Sequence, residues 1–317
     1  MEGGLIKLVE MLRTLQHPMA ICFEASCGYG HLHDLLSGVV QKVVVAHPGQ
    51  LRLIFKSKRK NDRVDAKKLA TLLLLDQVPE VHVPNLNVRE WRSLIEFRGR
   101  LVRDRTQVKN RLRSLFKQHG VLLASGKRLW TKKGVAELSR TELPGSLAKV
   151  QRDVQIDLLT RLSTQIQRVE LELNTLGVKH PGVTLLRSIP GVGPRTAEAV
   201  VAYIDQPGRF HRNKNVGSYF GLVPCQDQSA DRNRMGHITR EGPATVRKLV
   251  TEASWQGIRR SPHLRAYFER IQKGDSLRKR IALLATSHYL IRSMLAMLKS
   301  GELWRHDQKG KKAKQAA

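Results

Sequence analysis

The chain has 317 residues, of which 41% are hydrophobic, and its 56 Lys and Arg against 27 Asp and Glu leave a formal charge of +29. Such an imbalance repels itself unless a polyanion neutralises it, so nucleic acid is the expected partner, while an aromatic content of 5% disfavours a single-strand binder built on stacked bases. The length is enough for two or three cored domains; no apolar run approaches a membrane span, Glu2 and Glu10 exclude a secretory leader, and the odd set Cys22, Cys27 and Cys225 lacks zinc or disulfide spacing, which predicts a cytoplasmic, nucleoid-associated protein with no membrane partner.

Along the chain, "LIKLVEMLRTL" (5–15) carries Leu5, Leu8, Leu12 and Leu15 at helical spacing. "MAICFEAS" reads as a buried strand delivering Glu24 at its end, "YGHLHDLLSG" as a short helix, and "KVVVAHP" as a second strand stopped by Pro48. This alternation predicts a parallel α/β unit over residues 1–85, closed by "VHVP" and including a basic loop and a helix that starts near Asp62. Residues 86–180 predict a basic helical hairpin resembling a coiled coil, with one seam of Leu101, Val108, Leu112 and Leu115 and a second of Val154, Leu158, Leu162, Ile166, Val169, Leu173 and Leu176. Residues 124–149 read as their connection, 181–300 as an all-helical domain, and 301–317 as a disordered basic tail.

Three constellations carry chemistry. In "IPGVGPRTA", Pro190, Gly191 and Gly193 turn the chain ahead of Arg195 and a helix, a helix-hairpin-helix pattern in which backbone N–H groups meet a phosphate; the plain alternative is a turn between packed helices. Glu24, Asp62 and Asp65 are carboxylates on a strand end or beside a basic loop, and clustered carboxylates hold a divalent ion such as Mg2+. Equally, Glu24 reads as a surface strand end, Asp62 as a helix cap and Asp65 as a favourable charge at the helix start. Ser229 sits among Asp227, Asp231, Arg232, Arg234 and Arg240; a serine there is either a polar turn residue or a nucleophile toward a phosphodiester.

Taken together these segments resemble the insertion-sequence transposases of the IS110 and IS116 type, the DEDD transposases. "SIPGVGPRTAEAVVAYI", "FGLVP", the serine and "RMGHITREGPATVRK" resemble that family's transposase domain, and "FEASCGYG", "VVVAHP" and "KNDRVDAKKLA" its RuvC-like, RNase H-type half. The resemblance implies a recombinase with Mg2+ on Glu24, Asp62 and Asp65 and with Ser229 as nucleophile, acting on donor and target DNA under a structured guide RNA and working as a homo-oligomer, dimer or tetramer. Lys60, Arg63, Arg103, Arg105 and Lys109, together with Arg232, Arg234 and Arg240, then become nucleic-acid contacts. Two departures accompany it: Ala230 stands where glycine commonly follows the serine, and no strand-borne aspartate precedes Glu24. On that reading either the true start lies upstream of Met1 or the chain is an N-terminally truncated copy, and the 317 residues alone are expected to be inactive and poorly soluble. Two other functions fit the same residues: a metal-dependent Holliday-junction resolvase, which needs no Ser229, and a non-catalytic DNA- or RNA-binding protein.

Overall fold

The computed structural model describes residues 4–15, 17–54, 61–229 and 232–306, with the side chains of Ser229, Arg232 and Asn233 outside that description. The chain divides into two compact units, Met1–Arg89 and Glu90–Ala317.

In the first unit, α1 (Leu5–Thr14) leads to β1 (Ala20–Glu24), α2 (Tyr29–Ser37), β2 (Lys42–Ala46), α3 (Pro48–Ile54) and α4 (Asp62–Leu74). β1 and β2 pair in parallel, from Ala20 opposite Lys42 to Glu24 opposite Ala46, as the helical crossover between them requires. β2 supplies the buried side, with Val44, Val45 and Ala46 covered, whereas no residue of β1 is fully buried. Ala46, Leu51 and Leu72 form the small core, against which Cys22, Leu69 and Val78 pack. "VHVP" contributes backbone bonds to β2, such as Val81 N to Val45 O at 2.8 Å, but forms no strand.

The second unit is built on two long helices, α5 (Leu86–Gln118) and α7 (Ser146–Lys179). Both are rich in straight-chain helix formers, and α7 starts after Pro144 and Gly145 and stops at the His180–Pro181 step. The α5 seam is buried as the spacing predicts. The α7 seam is corrected: Leu159, Leu162, Ile166, Val169 and Leu173 are buried, while Val154, Leu158 and Leu176 are exposed. Steps of four rotate about 40° round a helix, so 154, 158 and 162 drift off one face; alternating steps of three and four hold it. The connection is no plain loop either, because α6 (Lys132–Arg140) lies within it, capped by the Thr131 hydroxyl accepting from the Gly134 N–H at 3.1 Å.

Next come α8 (Pro181–Arg187), α9 (Pro194–Ile204), α10 (Asn215–Tyr219), a β-hairpin of β3 (Pro224–Ser229) and β4 (Arg232–Ile238), then α11 (Ala244–Arg260), α12 (Pro262–Gln272) and α13 (Lys279–Ser300). The hairpin corrects the all-helical expectation for this part. Its described residues from Pro224 to Gln228 and from Arg234 to His237 are exposed, so no apolar alternation betrays it. One continuous core joins α5, α7, α8, α9, α11 and α13, with Phe116, Leu186, Phe220 and Leu290 wholly buried. With the turn from Ser276, α13 is long and apolar enough to cross a membrane, at mean hydropathy 1.4, and is the single such helix among the described residues. Ile291, Met294 and Leu295 are fully covered by neighbouring helices, the pattern of a core helix. Trp304, assigned above to the tail, is also buried, and its backbone N–H donates to the Ser188 hydroxyl at 3.1 Å; residues 307–317 lie outside the description.

Candidate functional site

The three carboxylates come together along one open cleft of about 580 Å³ between β1 and α4. Glu24 ends β1, and Asp62 and Asp65 occupy the first turn of α4. The cap of that helix is Asn61, whose side chain accepts from the Arg63 N–H at 3.0 Å, so Asp62 is not the cap. Freed of capping, Asp62 remains exposed beside the cleft, while Asp65 pairs with Lys68 at 3.5 Å. Ala66 and Ala70, four apart on α4, line the same cleft, and Cys22 on its wall has its thiol pKa pushed up by burial and by the nearby Glu80 carboxylate.

Carboxylate oxygens are the donors that Mg2+ prefers, and three of them face one opening. Among the described residues, however, no three acidic, histidine or cysteine side chains converge closely enough to form a ready-made metal cage. The donor chemistry fits and the coordination geometry is not preformed. Arg63 is exposed on the same helix turn; Lys60 lies outside the described residues.

Ser229 pairs with Arg232 as the last register pair of the hairpin, at the end away from its anchored base. One step inward, Gln228 faces Asn233, and then Asp227 faces Arg234, an opposite-charge cross-strand pair. The base is held by backbone contact: Thr239 N donates to Val223 O at 2.9 Å and Arg240 N to Gly221 O at 3.3 Å. Gly221 and Gly242 both have positive φ and leave no room for a β-carbon against Glu241 and Tyr219 respectively. Arg240 itself adopts φ 58°. The Arg247 guanidinium closes this base by donating to the carbonyls of Phe220 at 3.2 Å, Gly242 at 3.2 Å and Glu241. Burial, then the neighbouring Arg240, pull its pKa below the usual arginine range. Thus "FGLVP" and "TREGPATVRK" are two halves of one clamp. Arg247 was missed from sequence, where it reads as one more basic residue.

The turn between α8 and α9 is packed rather than free at its first glycine. Gly191 has φ +93°, and a β-carbon there would lie 2.7 Å from the Gln256 carbonyl carbon and 2.8 Å from the Gly257 Cα on α11. Gly193 borders open space and precedes α9 without any side-chain cap; Pro190 sits half-buried behind it. Arg195 is committed internally, to Glu198 at 2.9 Å and to the Asn174 side-chain oxygen. On α5, Arg103 is exposed, and Lys109 lies 5.0 Å over the Trp130 ring with Arg113 at 5.2 Å. Burial, then Arg105 and Arg113, lower the Lys109 pKa, as crowding of cations does.

Comparison with known proteins places these features. A family model for DEDD transposases of the IS110 type matches residues 1–121, and a model described as the transposase IS116/IS110/IS902 family matches residues 183–269. The class is therefore that of insertion-sequence transposases. The chain belongs to the IS116/IS110/IS902 family. It is 28% identical over 232 residues to the transposase for insertion sequence element IS1111A of Coxiella burnetii, an alignment covering 73% of this chain and 63% of that protein. It is 27% identical over 297 residues to the putative transposase y4pF/y4sB of Sinorhizobium fredii, covering 91% and 75%, and 26% identical to a probable family 20 transposase of Pseudomonas aeruginosa, covering 63% and 60%. The chain thus spans under two thirds of the Coxiella and Pseudomonas relatives it matches.

Proposed function

We propose that this chain is the recombinase of an insertion sequence, cutting and rejoining donor and target DNA through Ser229, with Glu24, Asp62 and Asp65 as the Mg2+-holding carboxylates. The observation that carries the reading is the placement of Ser229 at the end of an exposed hairpin whose base is fixed by Gly221, Gly242 and Arg247. A polar hairpin of this kind buries nothing of its own, so its rigid anchoring supports a task at its tip.

In the reaction the Ser229 oxygen forms a bond to phosphorus as the bond from phosphorus to a sugar oxygen breaks, releasing a DNA hydroxyl and leaving a phosphoserine-linked end. A hydroxyl of a second strand reverses the step, so one phosphodiester replaces another without an external energy source. A bound Mg2+ supplies polarisation of phosphoryl oxygens. Arg232, Arg234 and Arg240 supply positive charge near the hairpin for the transferring phosphate, and Pro190, Gly191, Gly193 and Arg195 mark the turn that would meet the DNA backbone. Arg63, Arg103, Arg105 and Lys109 offer a basic surface to DNA and to a structured guide RNA. Two nucleophiles on two duplexes require at least a dimer. The first unit is then an RuvC-like domain and the turn at 188–193 a helix-hairpin-helix.

The deciding experiment incubates purified chain with donor and target duplexes, guide RNA and Mg2+, and probes for a covalent protein–DNA adduct. Wild type should form it, which would overturn the expectation of an inactive copy, and Ser229→Ala should not. Strand cleavage that survives in Ser229→Ala would instead support a junction-resolving nuclease, and salt-sensitive binding with no cleavage in either protein would support a non-catalytic binder.

A further inference from the structure

A second cleft, of about 410 Å³, opens in the second unit between α5, α9 and α11, and shares only Arg103 and Arg195 with the surface proposed above for nucleic acid. Its volume is that of a site for a small organic ligand. Three kinds of lining are arranged within it. At the rim stand Arg103, exposed and without an ion pair among the described residues, and Lys248, 62% exposed with only a 3.9 Å contact to Glu252. Beside them α11 begins at Ala244 and Thr245 with no side-chain cap on its first turn, so N–H groups of a 17-residue helix add positive potential at the same place.

The walls are apolar, from Ile95, Val102 and Leu249. The lining also holds a buried polar pair, Arg195 and Glu198. Glu198 is 1% exposed; its Oε1 contacts Arg195 at 2.9 Å, and its Oε2 has no hydrogen-bond partner. Room for this carboxylate comes from Gly177 on α7, where a β-carbon would lie 2.6 Å from Oε1. Glu96 fixes the geometry by accepting from Tyr203 at 2.8 Å and from Thr245 at 2.7 Å, which ties α9, α5 and α11 together.

A buried acceptor left unbonded is costly, and it points to a ligand donor. A cationic rim, apolar walls and a carboxylate–guanidinium pair together match the three parts of a nucleotide. We infer that this cleft binds a single nucleotide, its phosphate at Arg103 and Lys248, its base between Ile95, Val102 and Leu249, and a base N–H donating to Glu198. Guanine suits the pair well, because its edge sets N–H donors for Glu198 beside a carbonyl that accepts from Arg195. A free mononucleotide and an unpaired nucleotide of a strand offer the same chemistry. The inference shares Arg103 and Arg195 with the transposase reading but needs neither Ser229 nor the β1–α4 carboxylates, so each can fail without the other.

The test titrates the full chain with GMP, with inorganic phosphate, and with duplex DNA that is either fully paired or carries one unpaired guanine. GMP should bind at least about tenfold more tightly than phosphate. Lys248→Glu, at an exposed position that puts folding at little risk, should weaken both ligands, and Glu198→Gln should weaken GMP by about tenfold while leaving phosphate unchanged. Competition by the bulged duplex but not the paired one identifies a strand as the source; GMP binding without such competition identifies a free nucleotide. Equal affinity for GMP and phosphate, equal competition by both duplexes, or GMP binding untouched by Lys248→Glu would each overturn the inference.

Discussion

Glu198 lies against Arg195 at 2.9 Å, yet burial pushes its pKa up from 4.5 to about 7. The attraction of Arg195, and of Arg98 and Arg187 further off, does not offset the loss of water around the carboxylate, and the Arg195 pKa is itself lowered by the same burial. The native chain therefore holds a proton on Glu198 that the unfolded chain has released between pH 4.5 and about 7. Stability from this group is fullest below the unfolded value and is lost as pH rises through the folded one, by up to about 3 kcal/mol. Glu198→Gln should flatten the pH dependence of the urea midpoint between pH 5 and 8 relative to wild type. Identical profiles would show that Glu198 titrates normally.

Gly191 and Gly193 separate packing from phosphate contact in the turn before α9. Gly191→Ala forces a side chain onto the backbone of α11 at positive φ and should cost more than about 2 kcal/mol. Gly193→Ala, at φ −87° facing open space, should change stability by no more than about 0.5 kcal/mol. Denaturation of the two variants checks the first contrast. If Gly193 lies against a phosphate, its variant should still weaken DNA binding despite its intact fold.

Arg247→Ala removes three carbonyl contacts at the base of the serine hairpin and should cost about 1–3 kcal/mol. Its larger effect should fall on the hairpin: amide exchange should rise across residues 224–238 while α9 and α13 stay protected, and adduct formation should drop further than stability does. Uniform loss of protection would mean that Arg247 merely supports the global fold.

On α5, the crowding of Arg105, Lys109 and Arg113 predicts a salt-sensitive nucleic-acid surface. Arg105→Ala and Arg103→Ala should each weaken binding to any sequence and lower the log–log salt slope by about 0.9 per lost duplex phosphate contact. A binding isotherm series across salt concentration measures this. An unchanged slope would remove α5 from the contact surface.

Much of this architecture was legible because burial leaves a periodic trace. β1, β2 and the α5 seam followed from apolar spacing, and the start of α4 from its acidic first turn, although the capping role passed from Asp62 to Asn61. The hairpin was illegible because both its faces meet water, so nothing in Gln226, Asp227 or Gln228 alternates in polarity. The Glu198 cleft was illegible for another reason. It depends on which helices meet, and a lone glutamate in "PRTAEAVV" carries no mark of the partners that bury it.

The α7 correction leads to the last prediction. Because the buried face runs through Leu159, Leu162 and Ile166, the N-terminal half of α7 turns Leu147, Val150, Val154 and Leu158 outward, at 84%, 59%, 60% and 39% exposure. Steps of three, four and four keep these side chains on one stripe about 11 residues long, the spacing by which helices of two copies pack. The proposed reaction, which joins two duplexes, calls for such a second copy. Val150→Glu with Val154→Glu should therefore shift the chain to monomer in light scattering and abolish strand exchange while leaving the far-UV circular dichroism unchanged, since neither residue is buried within the chain. An unchanged mass would assign self-association to another surface.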